Sequence, residues 1–185
     1  MKPTLTESDF ARAAIAIGCK VAAIKAVTFV EAPLGGFQPD GQPTILFERH
    51  KFSEFTGHVY DFKYPDISNR KAGGYGLYSV QHERLGRAAA LDRVAALKAT
   101  SWGKFQIMGF NYGLAGFDTL QDFINAMYLS EGAQLDAFVA FVKSQGLADE
   151  LRELRWADFA RRYNGADYAI NQYDVKLAAA YARST

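Results

Sequence analysis

The chain has 185 residues, of which 49% are hydrophobic and 14% are aromatic, and this is enough for one good-sized core. We therefore predict a single domain over residues 1–185, with one active site. Lys and Arg total 21 against 20 Asp and Glu, so the net charge of +1 gives no general attraction for nucleic acid or an anionic membrane.

The number and spacing of the cysteine and histidine residues argue against a disulfide and against a metal site. Cys19 is the single cysteine, and its apolar neighbours suit a small buried side chain better than a nucleophile. The histidines, His50, His58 and His82, lack the short spacing of a zinc site. We predict no metal and no cofactor.

The N-terminal sequence bears on where the protein is made. It leads from Met1 into an acidic segment, without the basic stretch, apolar run and small-residue cleavage site of a signal peptide. No apolar run reaches the roughly 18 residues that cross a bilayer. We expect synthesis in a cytoplasm without stable membrane insertion, so that passage to any outside substrate depends on something else.

The first predicted element is a helix over residues 7–17. Thr6 and Asp9 have the spacing of a capping box at its start. Gly18 is placed to end it in a left-handed turn.

A second helix is predicted over residues 20–31. Val21, Ile24, Val27 and Glu31 follow one another at intervals of three, three and four residues. On a helix this spacing forms one continuous stripe. Glu31 is therefore predicted at the end of the helix, on its apolar face.

The middle of the chain, from residue 37 to residue 75, is predicted to be loop and short strand. Pro33 and the glycines that follow it break the second helix. A buried strand is predicted over 44–47. Residues 60–75 are polar, aromatic and rich in turn residues, which suits a surface loop over a cleft.

Helical patterning resumes near residue 81, where one helix is predicted to continue to about residue 99. The chain shows no internal repeat and no low-complexity linker. Further helices, joined by short turns, are predicted at about 118–129, 131–145, 156–163 and 167–182.

Glu31 is the first candidate for chemistry. Glycoside hydrolysis needs an acid that is still protonated near neutral pH, and a carboxyl group at a helix end facing an apolar cleft has its pKa raised by desolvation. A shift of about two pKa units corresponds to roughly 2.7 kcal/mol, within reach of partial burial. Most glutamates at helix ends are salt-bridged or solvated, so the pattern needs support from elsewhere in the chain.

Three separated segments supply that support. Residues 26–31 read Ala-Val-Thr-Phe-Val-Glu, residues 101–108 read Ser-Trp-Gly-Lys-Phe-Gln-Ile-Met, and residues 162–165 read Arg-Tyr-Asn-Gly. In this order they resemble the superfamily of goose-type lysozymes and soluble lytic transglycosylases, which end a helix at the catalytic Glu and later present a Gly-x-x-Gln turn and a Tyr-Asn-Gly corner.

A closer resemblance, covering nearly the whole chain, is to the phage-type N-acetylmuramidase family used as endolysin catalytic domains. It rests on residues 43–50, 99–111 and 163–177. Where the family pattern has Glu-x-Glu followed by Ser, residues 29–33 read Phe-Val-Glu-Ala-Pro, and the one remaining carboxylate is Glu31. The resemblance implies a mainly α, lysozyme-like α+β fold: a helical bundle with a small β-hairpin and loop lobe flanking a glycan cleft.

The resemblance also implies substrate-binding residues. Gln106 would line the cleft beside the scissile bond, and Ser101 belongs to the same turn motif. Tyr163 would hydrogen-bond or pack against the Glu31 carboxyl group, and Asn164 would hold the corner. Without the other motifs, residues 101–108 would suggest an ordinary glycine turn around a core tryptophan.

Glu48 is the best candidate for a second carboxylate. At a strand end on the cleft rim it would lie across the sugar from Glu31 and activate water, as an inverting mechanism requires. The alternative is a structural pairing with Arg49 or His50, and both interpretations stay open. Reserve candidates are Glu83, Asp92 and Asp61.

Aromatic side chains of the middle segment are candidates for stacking on sugar faces. Aromatic residues at this density are also common in ordinary core and loop packing. We expect most to pack and one or two to contact glycan among Tyr60, Phe62, Tyr64, Tyr75 and Tyr78.

We predict a peptidoglycan hydrolase, an endolysin that cleaves the β-1,4 bond between N-acetylmuramic acid and N-acetylglucosamine, with Glu31 protonating the leaving oxygen. Its partner would be the glycan strand, and it would act as a monomer in the periplasm after the host membrane is permeabilised. A secreted antibacterial effector would have the same sequence features. The alternatives are a lytic transglycosylase, in which the same glutamate forms anhydro-muramyl products, and a catalytically silent glycan-binding phage protein.

Overall fold

In the computed structural model, the structure describes residues 2–31, 35–165 and 169–185, except for the side chains of Glu31 and Asn164. Within these residues the chain forms ten α-helices, three strands and short 3₁₀ turns at Tyr78–Val80 and Gly109–Asn111. The strands are β1 Ile45–Phe47, β2 Thr100–Trp102 and β3 Ile107–Met108. The helices are α1 Glu7–Ile17, α2 Val21–Glu31, α3 Arg49–Phe55, α4 Gln81–Ala89, α5 Arg93–Lys98, α6 Leu120–Leu129, α7 Glu131–Ser144, α8 Ala148–Arg152, α9 Trp156–Asn164 and α10 Tyr173–Ser184.

The predicted fold class, mainly helical with a small β lobe, is confirmed. The strands form one antiparallel sheet in the order β1-β2-β3. Ile45 of β1 lies opposite Trp102, and Ser101 lies opposite Met108 of β3. β2 and β3 are therefore the two arms of a hairpin, whose turn holds the Gly-x-x-Gln segment.

The first helix has the predicted bounds and caps. The Asp9 carboxylate accepts a hydrogen bond from the backbone N–H of Thr6 at 2.9 Å, and the Thr6 hydroxyl accepts one from the backbone N–H of Asp9 at 3.3 Å. Gly18 ends the helix in the left-handed region with φ 80°, which glycine adopts without steric cost. Cys19 follows it, half-buried, and burial raises the pKa of its thiol to about 11.

The predicted continuous helix over 81–99 is wrong, because the chain breaks into α4 and α5. Asp92 begins the second of these by accepting a hydrogen bond from the backbone N–H of Ala95 at 2.9 Å. The prediction of loop throughout residues 48–59 is also wrong, since α3 lies there, and α8 is a further helix that the pattern did not indicate. Both missed helices are only five to seven residues long, too short for an apolar period to show.

The last helix begins later than predicted, at Tyr173 rather than at residue 167. Residues 166–168 at the predicted start lie outside the described part of the chain. Residues 169–172 form turns rather than α-helix.

One cluster of buried apolar side chains joins the helices to the sheet. Ile24 and Val27 of α2 are fully buried in it, as their stripe predicted, and α2 packs extensively against α10. The largest fully buried side chains are Trp102, Phe47, Phe52, Phe123, Phe138 and Phe159.

The described helices and polar side chains bear on membranes and metals. No single helix among them is long and apolar enough to span a bilayer, and α1 with α2 passes that test only as a pair bent by 109°. The same residues hold no group of three or more His, Cys, Asp or Glu side chains placed to bind a metal ion. The expected absence of a metal stays a prediction.

Gly109, directly after β3, is expected to be intolerant of any side chain. A Cβ atom there would overlap the backbone carbonyl oxygen of Leu97. We expect Gly109→Ala to lower the free energy of unfolding by about 3 kcal/mol, at the upper end of overpacking costs. Urea unfolding measures the change.

The matched control is Gly86→Ala. Gly86 lies within α4, and a Cβ atom added there meets nothing within 4 Å. It should raise the free energy of unfolding by up to about 1 kcal/mol, the helix-propensity difference. Equal effects of the two substitutions would contradict the described packing around Gly109.

Candidate active site

A cleft of about 590 Å³ lies between the C-terminal end of α2, the sheet and the aromatic faces of α7, α9 and α10. One wall is the sheet and its hairpin, with Thr44, Leu46, Ser101 and Gln106. The opposite wall includes Val30, Phe141, Tyr163 and Tyr173. Four sequence-predicted residues thus line one cavity: Glu48, Ser101, Gln106 and Tyr163.

The backbone of Glu31 ends α2 at this cleft. Val30 before it and Gly35 after it both line the cavity. The buried side chains of Ile24 and Val27 fix the face of α2 that is turned inward. The side chains of Glu31 and of Asn164 lie outside the described residues, so their predicted contacts stay predictions.

Glu48 follows β1 directly and lines the cleft. It precedes α3 at the N-cap position, but its side chain makes no capping hydrogen bond. Its carboxylate Oε2 lies 3.3 Å from Nε2 of His50 instead. Burial raises the pKa of Glu48, and the nearby charges of His50 and Lys51 only partly oppose this. Glu48 therefore pairs with His50 and lines the cleft as well.

Ser101 and Gln106 form a hydrogen-bonded unit inside the β2–β3 hairpin. The Ser101 hydroxyl donates to Oε1 of Gln106 at 2.9 Å. The Gln106 amide Nε2 donates to the carbonyl of Gly103 at 2.8 Å and lies 3.3 Å from that of Thr44. Gln106 itself has φ 49°, a strained value for a residue with a side chain. The side-chain contacts of Gln106 thus fix the shape of the turn that forms this cleft wall.

Tyr163 approaches the same turn from α9. Its hydroxyl donates to the backbone carbonyl of Phe105 at 3.1 Å. Its ring is stacked on Phe159, with centroids 5.3 Å apart, and meets Phe138 edge-on at 5.7 Å. The hydrogen bond to Phe105 joins the Arg-Tyr-Asn-Gly segment to the Gly-x-x-Gln segment.

Most of the other residues that the sequence suggested for the site lie outside the cleft lining. Glu83, Asp92 and Asp61 do not line the cleft. Of the five aromatic residues named from the middle segment, Tyr78 lines it. Tyr60 instead stacks on Phe52 with centroids 5.9 Å apart, and Tyr64 meets Tyr60 edge-on at 6.3 Å.

Three residues that sequence reasoning missed, Glu131, Gln134 and Lys104, form a buried polar clamp behind the cleft. Glu131 of α7 accepts hydrogen bonds from the backbone N–H of Gly36 at 2.7 Å and from Nζ of Lys104 at 3.0 Å. Gln134, one turn later, accepts from the backbone N–H of Lys104 at 2.7 Å and donates to the carbonyl of Gly36 at 3.2 Å. The clamp thus joins the segment after Glu31 to the hairpin turn.

The clamp leaves no room for side chains on the backbone that it holds. A Cβ atom on Gly36 would overlap the amide oxygen of Gln134, and one on Gly103 would lie 2.7 Å from its Cδ atom. Gly103 also has φ 69°, which favours glycine. Both glycines are therefore required by the close approach of α7.

Comparison with known proteins identifies the family. Residues 20–185 match the Muramidase family, described as N-acetylmuramidase. The chain belongs to this family. The crystal structure of Burkholderia AP3 phage endolysin is similar to this muramidase, with a TM-score of 0.91 and 43% sequence identity over 98% of this chain and 70% of the endolysin chain. No curated protein sequence matches the muramidase.

These comparisons confirm the predicted family and class of enzyme. The muramidase is a glycoside hydrolase, and peptidoglycan is its substrate. Which of its residues carry the reaction stays a prediction.

The clamp predicts a large effect of charge removal. Glu131→Gln leaves the Lys104 ammonium, only 13% exposed, without its counter-charge. We expect the muramidase to lose about 3 kcal/mol of unfolding free energy in this variant. Glu131→Gln combined with Lys104→Met should recover part of that loss, since no uncompensated charge remains.

Glu7→Gln serves as the control for the clamp experiment. Glu7 pairs with Lys25 at 2.8 Å, but its side chain is 79% exposed. Its removal should change the free energy of unfolding by less than about 1 kcal/mol. A Glu131→Gln effect as small as this one would show that the clamp does not stabilise the fold.

The raised pKa of Glu48 predicts a pH-dependent stability. Between the ordinary value of 4.5 and the raised value, the folded muramidase holds a proton that the unfolded chain releases. Stability from this group is therefore present at low pH and is lost as pH rises through that window. Glu48→Gln should be more stable than wild type at pH 7, with the difference vanishing below the ordinary pKa. Urea unfolding across pH tests this, and an unchanged difference at all pH values would contradict it.

Proposed function

We propose that this muramidase is an endolysin that cleaves the β-1,4 bond between N-acetylmuramic acid and N-acetylglucosamine, with Glu31 as the proton donor. The observation that carries the proposal is that α2 ends at the cleft that Glu48, Gln106 and Tyr163 also line. The role as an endolysin is supported by the structural similarity to the endolysin of Burkholderia AP3 phage.

Glu31 has the setting that a general acid needs. It is the last residue of α2, and the negative end of a helix dipole disfavours the ionised form of a carboxyl group placed there. The lining of the cleft includes aromatic and aliphatic side chains, which desolvate a charge. A protonated Glu31 would give its proton to the glycosidic oxygen as the bond to the anomeric carbon breaks.

Glu48 is our proposal for the second carboxylate. The raised pKa brings its proton affinity nearer to neutral pH, where a general base works best. The contact with His50 holds its carboxylate at the cleft wall rather than at the N-terminus of α3. In an inverting reaction Glu48 would take a proton from the water that attacks the anomeric carbon.

Substrate binding is assigned to Gln106, Ser101, Tyr163 and Asn164. The hydrogen bonds within the hairpin make its wall rigid, and a rigid wall orients a sugar at low entropic cost. Tyr163 would position the Glu31 carboxyl group, and Asn164 the corner after it. Tyr78, 44% exposed at the rim, would stack on a sugar face.

The cellular setting follows from the same proposal. A single catalytic domain over residues 1–185 is supported by one continuous core cluster. The enzyme would be made in the bacterial host cytoplasm, act as a monomer, bind no nucleic acid, and reach the wall once the membrane is permeabilised. The net charge of +1 supports the absence of general binding to nucleic acid or membrane.

Glu31→Gln tests the assignment. Loss of a general acid should reduce the clearance rate of purified peptidoglycan by about 10²- to 10⁴-fold without lowering stability. Glu83→Gln, an exposed carboxylate away from the cleft, should keep wild-type activity. Full activity in Glu31→Gln would overturn the assignment.

The released sugars identify the reaction. Hydrolysis adds a water molecule and produces reducing ends, whereas a transglycosylase releases anhydro sugars without adding water. Mass spectrometry of wild-type products should show reducing ends. Anhydro products would replace the hydrolase proposal by a lytic transglycosylase that uses the same glutamate.

A further inference from the structure

A second recess, of about 330 Å³, is lined by residues of α2 and α10 and adjoins the cleft at Val30. We name it the side recess, and its lining residues are Phe29, Val30, Lys176, Ala179 and Arg183. Val30 lines the side recess and the cleft alike. A substrate lying in the cleft can therefore extend a branch into the side recess without leaving the protein surface.

The side recess is lined by one aromatic ring, that of Phe29, and by two basic side chains, Lys176 and Arg183. Phe29 is 67% exposed, although a large apolar side chain is normally buried. The Arg183 guanidinium lies 5.1 Å from the centroid of its ring. The Lys176 ammonium lies 5.5 Å from the ring of Tyr173, which lines the cleft. Within the described residues, neither cation is in an ion pair with a carboxylate.

The helical period of α10 brings Lys176 and Arg183 to the same side of the helix. Lys176, Ala179 and Arg183 are separated by three and four residues and so share one helix face. The methyl group of Ala179 between them leaves the space that a longer side chain would fill. A guanidinium and an ammonium on either side of such a gap suit an anion, in particular a carboxylate.

We propose that the side recess binds the stem peptide of peptidoglycan through its carboxylates. This inference rests on the proposed function, in which the cleft holds the glycan strand. Each muramyl residue carries a peptide on its lactyl group, and that peptide has free carboxylates, while the sugar backbone itself is neutral. Because the protein has a net charge of only +1, attraction for an anionic branch must come from a local pair of cations such as this one.

The test measures binding rather than turnover, in the Glu31→Gln background. The ligands are two β-1,4-linked oligosaccharides of equal length, a peptidoglycan fragment with stem peptides and a stem-free chito-oligosaccharide, which has neither peptides nor lactyl carboxylates. The side-recess variant combines Lys176→Ala and Arg183→Ala. The control variant combines Lys20→Ala and Lys143→Ala, which removes the same charge from exposed lysines outside both cavities. Isothermal titration calorimetry gives the Kd of each pair.

We expect the side-recess variant to raise the Kd for the stem-bearing glycan by about tenfold, as two exposed charge contacts would. The Kd of this variant for the stem-free glycan should change less than about twofold. The Kd of the control variant should change equally little for either ligand. Equal weakening for both ligands would assign the recess to the sugar backbone and overturn the proposal. An unchanged Kd would overturn it as well.

Failure of the proposed function would give a different result from failure of the stem-peptide proposal. If Glu31→Gln cleaved peptidoglycan at the wild-type rate, the catalytic assignment would fall. A stem-dependent change in Kd in the side-recess variant would still support the inference, because binding does not depend on which residue donates the proton.

Discussion

The cleft depends on one cluster of buried hydrogen bonds, the clamp. In it, Glu131 and Gln134 of α7 hydrogen-bond to Gly36 and Lys104. Neither side of the cleft is held by regular secondary structure at this point: one side is the segment after α2 and the other is a tight hairpin turn. Their backbone polar groups would be costly to bury without partners. The clamp supplies those partners from a single helix. The distance between the helix that ends at Glu31 and the hairpin of Gln106 is therefore set by α7.

The carboxylate of the clamp, Glu131, and the carboxylate of the cleft wall, Glu48, have different surroundings. Glu131 is buried but fully engaged, accepting from Lys104, Gly36 and the backbone N–H of Leu5 at 3.1 Å. Glu48, in contrast, has His50 as its near neighbour and a raised pKa. The first carboxylate thus joins the two walls of the cleft, whereas burial raises the pKa of the second. In the role that we propose for Glu48, the enzyme sacrifices some stability for function.

Sequence patterns predicted the parts of the fold that are local. The capping box of Thr6 with Asp9 and the apolar stripe of α2 depend on residues three or four apart, and both follow from helix geometry. The break between α4 and α5 was missed because Asp92 interrupts an apolar pattern that by itself continues to Ala99. The clamp was missed because Glu131 follows Ser130, an N-cap residue, and an acidic residue in the first turn of a helix is normally solvated. Only the tertiary fold brings it to Gly36, 95 residues away in sequence.

We propose that the glycan is cut where α2 ends. A crystal structure of the Glu31→Gln variant with a bound peptidoglycan oligosaccharide tests it most directly. We predict that the sugar chain lies along the cleft between the hairpin and α9, with a glycosidic oxygen within hydrogen-bonding distance of the residue 31 side chain. An oligosaccharide bound away from the end of α2, or one whose glycosidic bonds all lie far from residue 31, would contradict the account.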